Sequence, residues 1–143
     1  MRGVNTGRLA TIALKILTIF GALSAFGGAV IALSGGGGVP TSYLDGSPFA
    51  SFVIPGLILG IVVGGTQTVA VVALFQRRSW APLSCAIAGF GMTIWIFAEL
   101  AIIGEYFWLQ TLYFGLGILE LAFVLALLGA VPSTIRPQAA SGH

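Results

Sequence analysis

Four stretches of this sequence are long enough and apolar enough to cross a lipid bilayer as helices, and that constraint leaves few other folds open. The first runs from Leu9 to Leu33, broken only by Lys15, and ends at SGGGGVP, where four glycines and a proline cannot continue a helix. The second covers 49–75 and closes on QRRS; the third covers 80–103 and carries Glu99 near its far end. The fourth covers 107–131, carries Glu120 within GILELAF, and stops at Pro132. About 20 apolar residues span a hydrocarbon core roughly 30 Å thick, and a helix satisfies its own backbone hydrogen bonds there. These runs are apolar all round and show none of the alternation of a transmembrane β-barrel. With 57% hydrophobic residues, 7% charged residues and a mean hydropathy of +1.05, the chain has too few charges to coat a soluble surface.

The predicted fold is therefore all-α: an integral membrane four-helix bundle forming a single membrane domain over 1–143. An outer loop occupies 34–48, and the polar STIRPQAASGH reads as a disordered C-terminal tail over 132–143. Basic residues set the expected orientation. Arg2, Arg8 and Lys15 lie at or before the first helix or near its start, Arg77 and Arg78 between the second and third, and Arg136 after the fourth. The opposite loops, 34–48 and 104–106, hold Asp45 and Glu105 but no lysine or arginine, so both termini are expected to be cytoplasmic. A basic start followed by ALSAFGGA also suits a secretory signal, but the apolar run continues to residue 33, and the segment is expected to be retained as the first helix. The net charge of +2 then faces anionic lipid and is no sign of nucleic acid.

The lone cysteine, Cys85, and the lone histidine, His143, exclude a CxxC redox pair and any plausible transition-metal cluster; no metal or other cofactor is expected. Nor is there a nucleotide loop or a nucleophile paired with a base, so an enzyme is not expected.

Helices in lipid associate by close approach at small residues. In PGLILGIVVGG, Gly56, Gly60 and Gly64 recur every four residues and form a groove on the second helix; Gly21, Ala25 and Ala29 form a matching row on the first. The expectation is a tight antiparallel pair, with a homodimer seam as the alternative. Pro55 is expected to bend the second helix if that helix starts at Ser47 as N-cap and Pro48, or to lie near its true start if SPFASFVI is an interfacial segment. Tyr43, Phe49, Phe52, Tyr106, Phe107, Trp108 and Tyr113 mark the outer boundary; Phe75 and Trp80 mark the inner one.

Glu120 falls near the middle of its helix with no basic residue at that depth, since Lys15 belongs to the opposite end of the first helix. An ionised acid there costs several kcal/mol unless paired or wetted, so it is expected either protonated and hydrogen-bonded to another helix or facing a wet cavity. Glu99 lies nearer the outer boundary and shares a helical face with Trp95 and Met92. Glu120, Glu99, Gln67 and Tyr113 are the candidate binding or proton-relay residues, with Ser24, Thr66, Thr68 and Thr93 as further donors.

From Leu44 onward, LDGSPFASFVIPGLILGIVVGG, the short arginine turn, GFGMTIWIFAEL and WLQTLYFGLG together resemble the small four-helix integral membrane proteins common in bacteria, particularly actinobacteria. The chain is also broadly similar in size and hydropathy to DoxX-like and small multidrug-resistance proteins, although the latter carry their essential acid in the first helix and this first helix has none. The resemblance implies four helices in a bacterial plasma membrane and assigns no activity. Two functions follow as expectations. One is a non-enzymatic accessory or scaffold subunit that uses its glycine faces to bind a membrane-protein partner or a second copy. The other is a small oligomeric proton-coupled transporter using Glu120 as the protonation site, with Glu99 and Gln67 lining an access path.

Overall fold

The computed structural model describes residues 2–103 and 107–129, with side chains from residue 5 onward. The 104–106 connection with Glu105 and Tyr106, residues 130–131, the tail 132–143 and the Arg2 side chain lie outside the described residues. The fold is all-α. Helix α1 spans Arg2–Leu33, α2 spans Val53–Phe75, α3 spans Ala81–Ile103 and α4 spans Trp108–Gly129. At 1.5 Å per residue the shortest of these, 22 residues, is about 33 Å long, enough to cross a bilayer.

Glycine ends α1 and arginine ends α2, in the same geometry. After Leu33, Gly36 N donates to Ile31 O at 2.9 Å and Gly35 N to Ala32 O at 3.3 Å, with Gly35 at φ 107°. After Phe75, Arg78 N donates to Ala73 O at 3.0 Å and Arg77 N to Leu74 O at 3.3 Å, with Arg77 at φ 54°. Both are Schellman closures, which satisfy carbonyls left unpaired at a helix end. The second sets Arg77 and Arg78 in the tight turn before α3.

Between α1 and α2 the chain makes a 3-10 turn at Thr41–Leu44 that buries Leu44, then continues irregularly to Phe52. Ser47 is not the N-cap of α2: its hydroxyl accepts from Phe49 N at 3.2 Å, a local turn, and the helix begins at Val53. Pro55 therefore occupies the first turn, near the true start of the helix as the second of the two expectations had it, where its missing N–H would have had no helical partner; the bend expected from a start at Ser47 has no cause. The irregularity of α2 lies further on, at Leu59–Gly64, where the helix widens into a π-turn before resuming at Gly65.

The helices form a ring in which each packs on its sequence neighbours and α1 closes onto α4, so α2 and α4 stand diagonally across the bundle. The glycine groove of α2 is filled from within. A Cβ on Gly56 would lie 2.6 Å from Ala32 Cβ, one on Gly60 3.0 Å from Ala29 Cβ, and one on Gly64 2.9 Å from the Phe26 ring. On the other side of the bundle, Gly89 and Gly117 bring α3 and α4 together: a Cβ on Gly117 would meet Thr93 Oγ1 at 2.6 Å and Gly89 O at 3.1 Å. Large apolar side chains such as Leu23, Ile61, Ile94 and Leu125 point outward, as lipid-facing positions should.

The Gly117 contact is with backbone and a helix-bound hydroxyl, neither of which can move away cheaply. Gly117→Ala should therefore cost about 1–3 kcal/mol by overpacking, whereas Gly115→Ala, with nothing within 4 Å, should be neutral. Unfolding of the purified protein in mixed micelles compares the two variants directly, and equal stability would remove Gly117 as the determinant of the α3–α4 approach.

Candidate functional site

The polar centre of the bundle is one hydrogen bond. Gln67 of α2 and Glu120 of α4 are each 0% exposed, and Gln67 Nε2 donates to Glu120 Oε2 at 3.0 Å across the bundle diagonal. The same nitrogen reaches the carbonyl of Ala88 on α3 at 3.4 Å, so one amide links three helices. Each element of this arrangement has a local cause. Gly117 precedes Glu120 by one turn on the same face, and its close approach to Gly89 brings that face of α4 into the core. Ala88 is the neighbour of Gly89, so the carbonyl that Gln67 reaches belongs to the same contact. On α1, Gly21 makes room: a Cβ there would lie 2.8 Å from Gln67 Cδ and 2.9 Å from its Oε1. Two oxygens are left over, since neither Gln67 Oε1 nor Glu120 Oε1 has a hydrogen-bond partner.

Above this pair, toward the end carrying residues 34–52, lies a chamber of about 160 Å³. Its floor includes Gly21, against which the Gln67 amide packs, and Met92, whose methyl end also lies against Gly21. Its polar wall is made by Ser24, Trp95, Glu99, Gln110 and Tyr113. Leu59, Trp95, Glu99, Leu109 and Gln110 also line a second, mostly apolar cleft of about 300 Å³, which continues outward past Phe52, Pro55 and Phe107. Chamber and cleft share a polar neck, and its two donors are unused. Trp95 is 9% exposed and Gln110 2% exposed, yet neither Trp95 Nε1 nor Gln110 Nε2 makes a hydrogen bond. Both groups lie beside the Glu99 carboxyl, close enough to feel it but outside hydrogen-bond geometry.

Gln110 is held in that attitude by its other end. It is the third residue of α4, and its Oε1 accepts from Phe107 N at 3.0 Å, the reach-back half of a capping box. With the oxygen committed to a backbone N–H, the amide NH₂ is turned into the neck.

Toward the arginine end the bundle is closed. Leu14, Ala70, Ala73, Cys85 and Val124 form a dry cluster below the Gln67–Glu120 pair. Beyond it is an open groove containing Arg8, Lys15, Arg77 and Arg78. Lys15 lies 4.7 Å from the centroid of the Phe75 ring, at that same end.

The four candidates from the sequence divide into two groups. Gln67 and Glu120 form the pair; Glu99 and Tyr113 line the chamber, as do Trp95 and Met92 on the Glu99 face. Gln67 does not line a path with Glu99, and Tyr113 stacks on Phe20 at 6.3 Å without donating to Glu120. The threonines offered as donors bond back to their own helices: Thr66 to Val62 O, Thr68 to Gly64 O and Thr93 to Gly89 O. Sequence reasoning overlooked Gln110 and the Gly89–Gly117 contact. The first had a legible signal, a glutamine three residues after a helix start. No group of three metal-ligating side chains occurs among the described residues.

Comparison with protein-family models, with curated proteins and with solved structures gives no match. The site therefore rests on its own chemistry. A double-mutant cycle between Gln67→Met and Glu120→Met should return a coupling of about 1 kcal/mol, the range for interhelical hydrogen bonds in membranes. Additive effects of the two substitutions would mean that the contact adds nothing to stability.

Proposed function

We propose that this chain is a small proton-coupled carrier of a bacterial plasma membrane, with both termini and the arginine turn cytoplasmic. The observation that supports it best is the position of the Gln67–Glu120 pair. A fully buried carboxyl with one unpartnered oxygen lies beneath a chamber that runs into the apolar cleft on one side, with the apolar cluster packed on the other. Intramembrane acids without a basic partner are expensive and are enriched on proton and substrate paths. Glu120 is the protonatable group in this reading, Gln67 holds it in register with α3, and Glu99 is the acid at the chamber wall. No catalytic step is required of any residue.

The packing weakens the scaffold alternative, because the glycine face that would bind a partner is already occupied by α1. An accessory role would have to use α4, which buries the smallest share of its membrane-length window. That lightly covered helix is also where a second copy of the carrier would dock.

Topology supplies one test. In a Cys85→Ala background, an impermeant thiol reagent applied to intact cells should label Ser42→Cys and spare Ser79→Cys; both positions are exposed, at opposite ends of the bundle. The reverse pattern overturns the orientation. Transport supplies another. Proteoliposomes loaded with a pH dye and given an acid-outside gradient would be challenged with membrane-impermeant amphiphiles of anionic, cationic and zwitterionic type. At least one should collapse the gradient through the wild-type protein and none through Glu120→Gln, with the variant's melting profile retained. Equal behaviour of the two proteins, together with a stoichiometric partner in native pull-downs, would return Glu120 to packing and the chain to an accessory role.

A further inference from the structure

The neck between chamber and cleft has two donors and an acceptor that lie beside one another without closing a hydrogen bond. Trp95 Nε1 and Gln110 Nε2 are buried N–H donors without partners, and the Glu99 carboxyl is an acceptor beside them. A buried polar group left unpaired is costly, and here two occur in one wall of one cavity. Both are fixed in place: Gln110 by the Phe107 N–H on its oxygen, and Trp95 by a buried position in the cluster with Met92 and Ile96.

We infer that the neck is a binding site for the carboxamide group of an apolar molecule, a primary or secondary amide or a cyclic imide, whose body lies in the outward cleft. A carbonyl oxygen has two lone pairs and takes both N–H donors; the amide N–H on the adjoining atom then donates to Glu99. An ammonium head would pair with Glu99 but leave both N–H groups unsatisfied, and an ester would accept from both but leave Glu99 unpartnered. The cleft beyond the neck is walled by Ile31, Val39, Phe52, Pro55 and Phe107, with no charged group there among the described residues. The apolar end of the ligand belongs there.

This assignment rests on the chamber being a ligand site, as in the carrier reading, but not on transport. The test is therefore an equilibrium one, at a single pH with no gradient. Binding of octanamide, octylammonium and methyl octanoate would be measured by titration calorimetry to the whole protein in nanodiscs, with empty nanodiscs subtracted for partitioning. Octanamide should show saturable binding about tenfold or more tighter than the other two. Trp95→Phe keeps an aromatic ring and loses the N–H; Gln110→Glu keeps the oxygen that accepts from Phe107 and loses the NH₂. Each should weaken octanamide about three- to tenfold, the share of one hydrogen bond. Glu99→Leu should erase the preference for octanamide over methyl octanoate. Octylammonium or methyl octanoate binding as tightly as octanamide, no saturable binding by any probe, or variants that leave octanamide unaffected would each overturn the assignment. Amide binding without gradient-driven flux would leave it standing and remove only the carrier reading.

Discussion

In a lipid interior a polar side chain has no solvent to turn to, and the Gln67–Glu120 hydrogen bond is where that constraint organises this bundle. Its two ends sit on the diagonal helices α2 and α4, which the ring of neighbour contacts does not join. Bringing them within 3.0 Å requires the ring to be narrow at that level, and the small residues are placed accordingly. Gly21 admits the Gln67 amide on one side; Gly89 and Gly117 draw α3 and α4 together on the other. Small residues set the spacing and the hydrogen bond sets the register, two of the means by which helices associate when lipid offers no hydrophobic exclusion.

The fold class could be read from the sequence because four helix-length apolar runs have one solution in a membrane. The packing of α1 on α2 could be read as well, since Gly56, Gly60 and Gly64 all meet α1 even though two of them lie within the π-turn. What could not be read is the partner of Glu120. Periodicity places Gln67 on α2 at a given angle only if the turns before it are uniform, and Leu59–Gly64 is a π-turn. One additional residue in a turn offsets everything after it by about 100°, one residue's share of a 3.6-residue turn. That offset brings Gln67 to the bundle axis, away from the path with Glu99 expected of it. The threonines misled for a related reason: in apolar surroundings a hydroxyl satisfies itself most simply on its own helix, so its presence at the right depth says little about where it donates.

Glu99 and Glu120 are two solutions to one problem. Glu120 lies in the narrow part of the ring and is held directly by a side chain from across it. Glu99 lies where the ring widens into the chamber, beside donors that stop short of it. The difference in packing follows from what lies next to each acid on its own helix. Gly117, one turn before Glu120, allows a close helix contact; Trp95, one turn before Glu99, is a bulky buried ring that forms part of the cavity wall.

The bundle is thus asymmetric along the membrane normal: open chamber, polar pair, dry plug, basic groove. As the proposed carrier, the bundle must at some stage open the other way, and the plug shows what such a change would involve. Three of its members, Ala70, Ala73 and Cys85, are small side chains of α2 and α3, so parting these helices there exposes little apolar surface compared with a leucine-filled core. Above it, the π-turn of α2 contributes Leu59 and Val63 to the chamber wall and precedes Gln67 by one turn. A π-turn has hydrogen bonds that can revert to the regular i to i+4 pattern, and reversion would rotate the α2 segment carrying Gln67, Ala70 and Ala73. The pair with Glu120 and the seal beneath it would then change together, because both depend on the phase of the same helical segment.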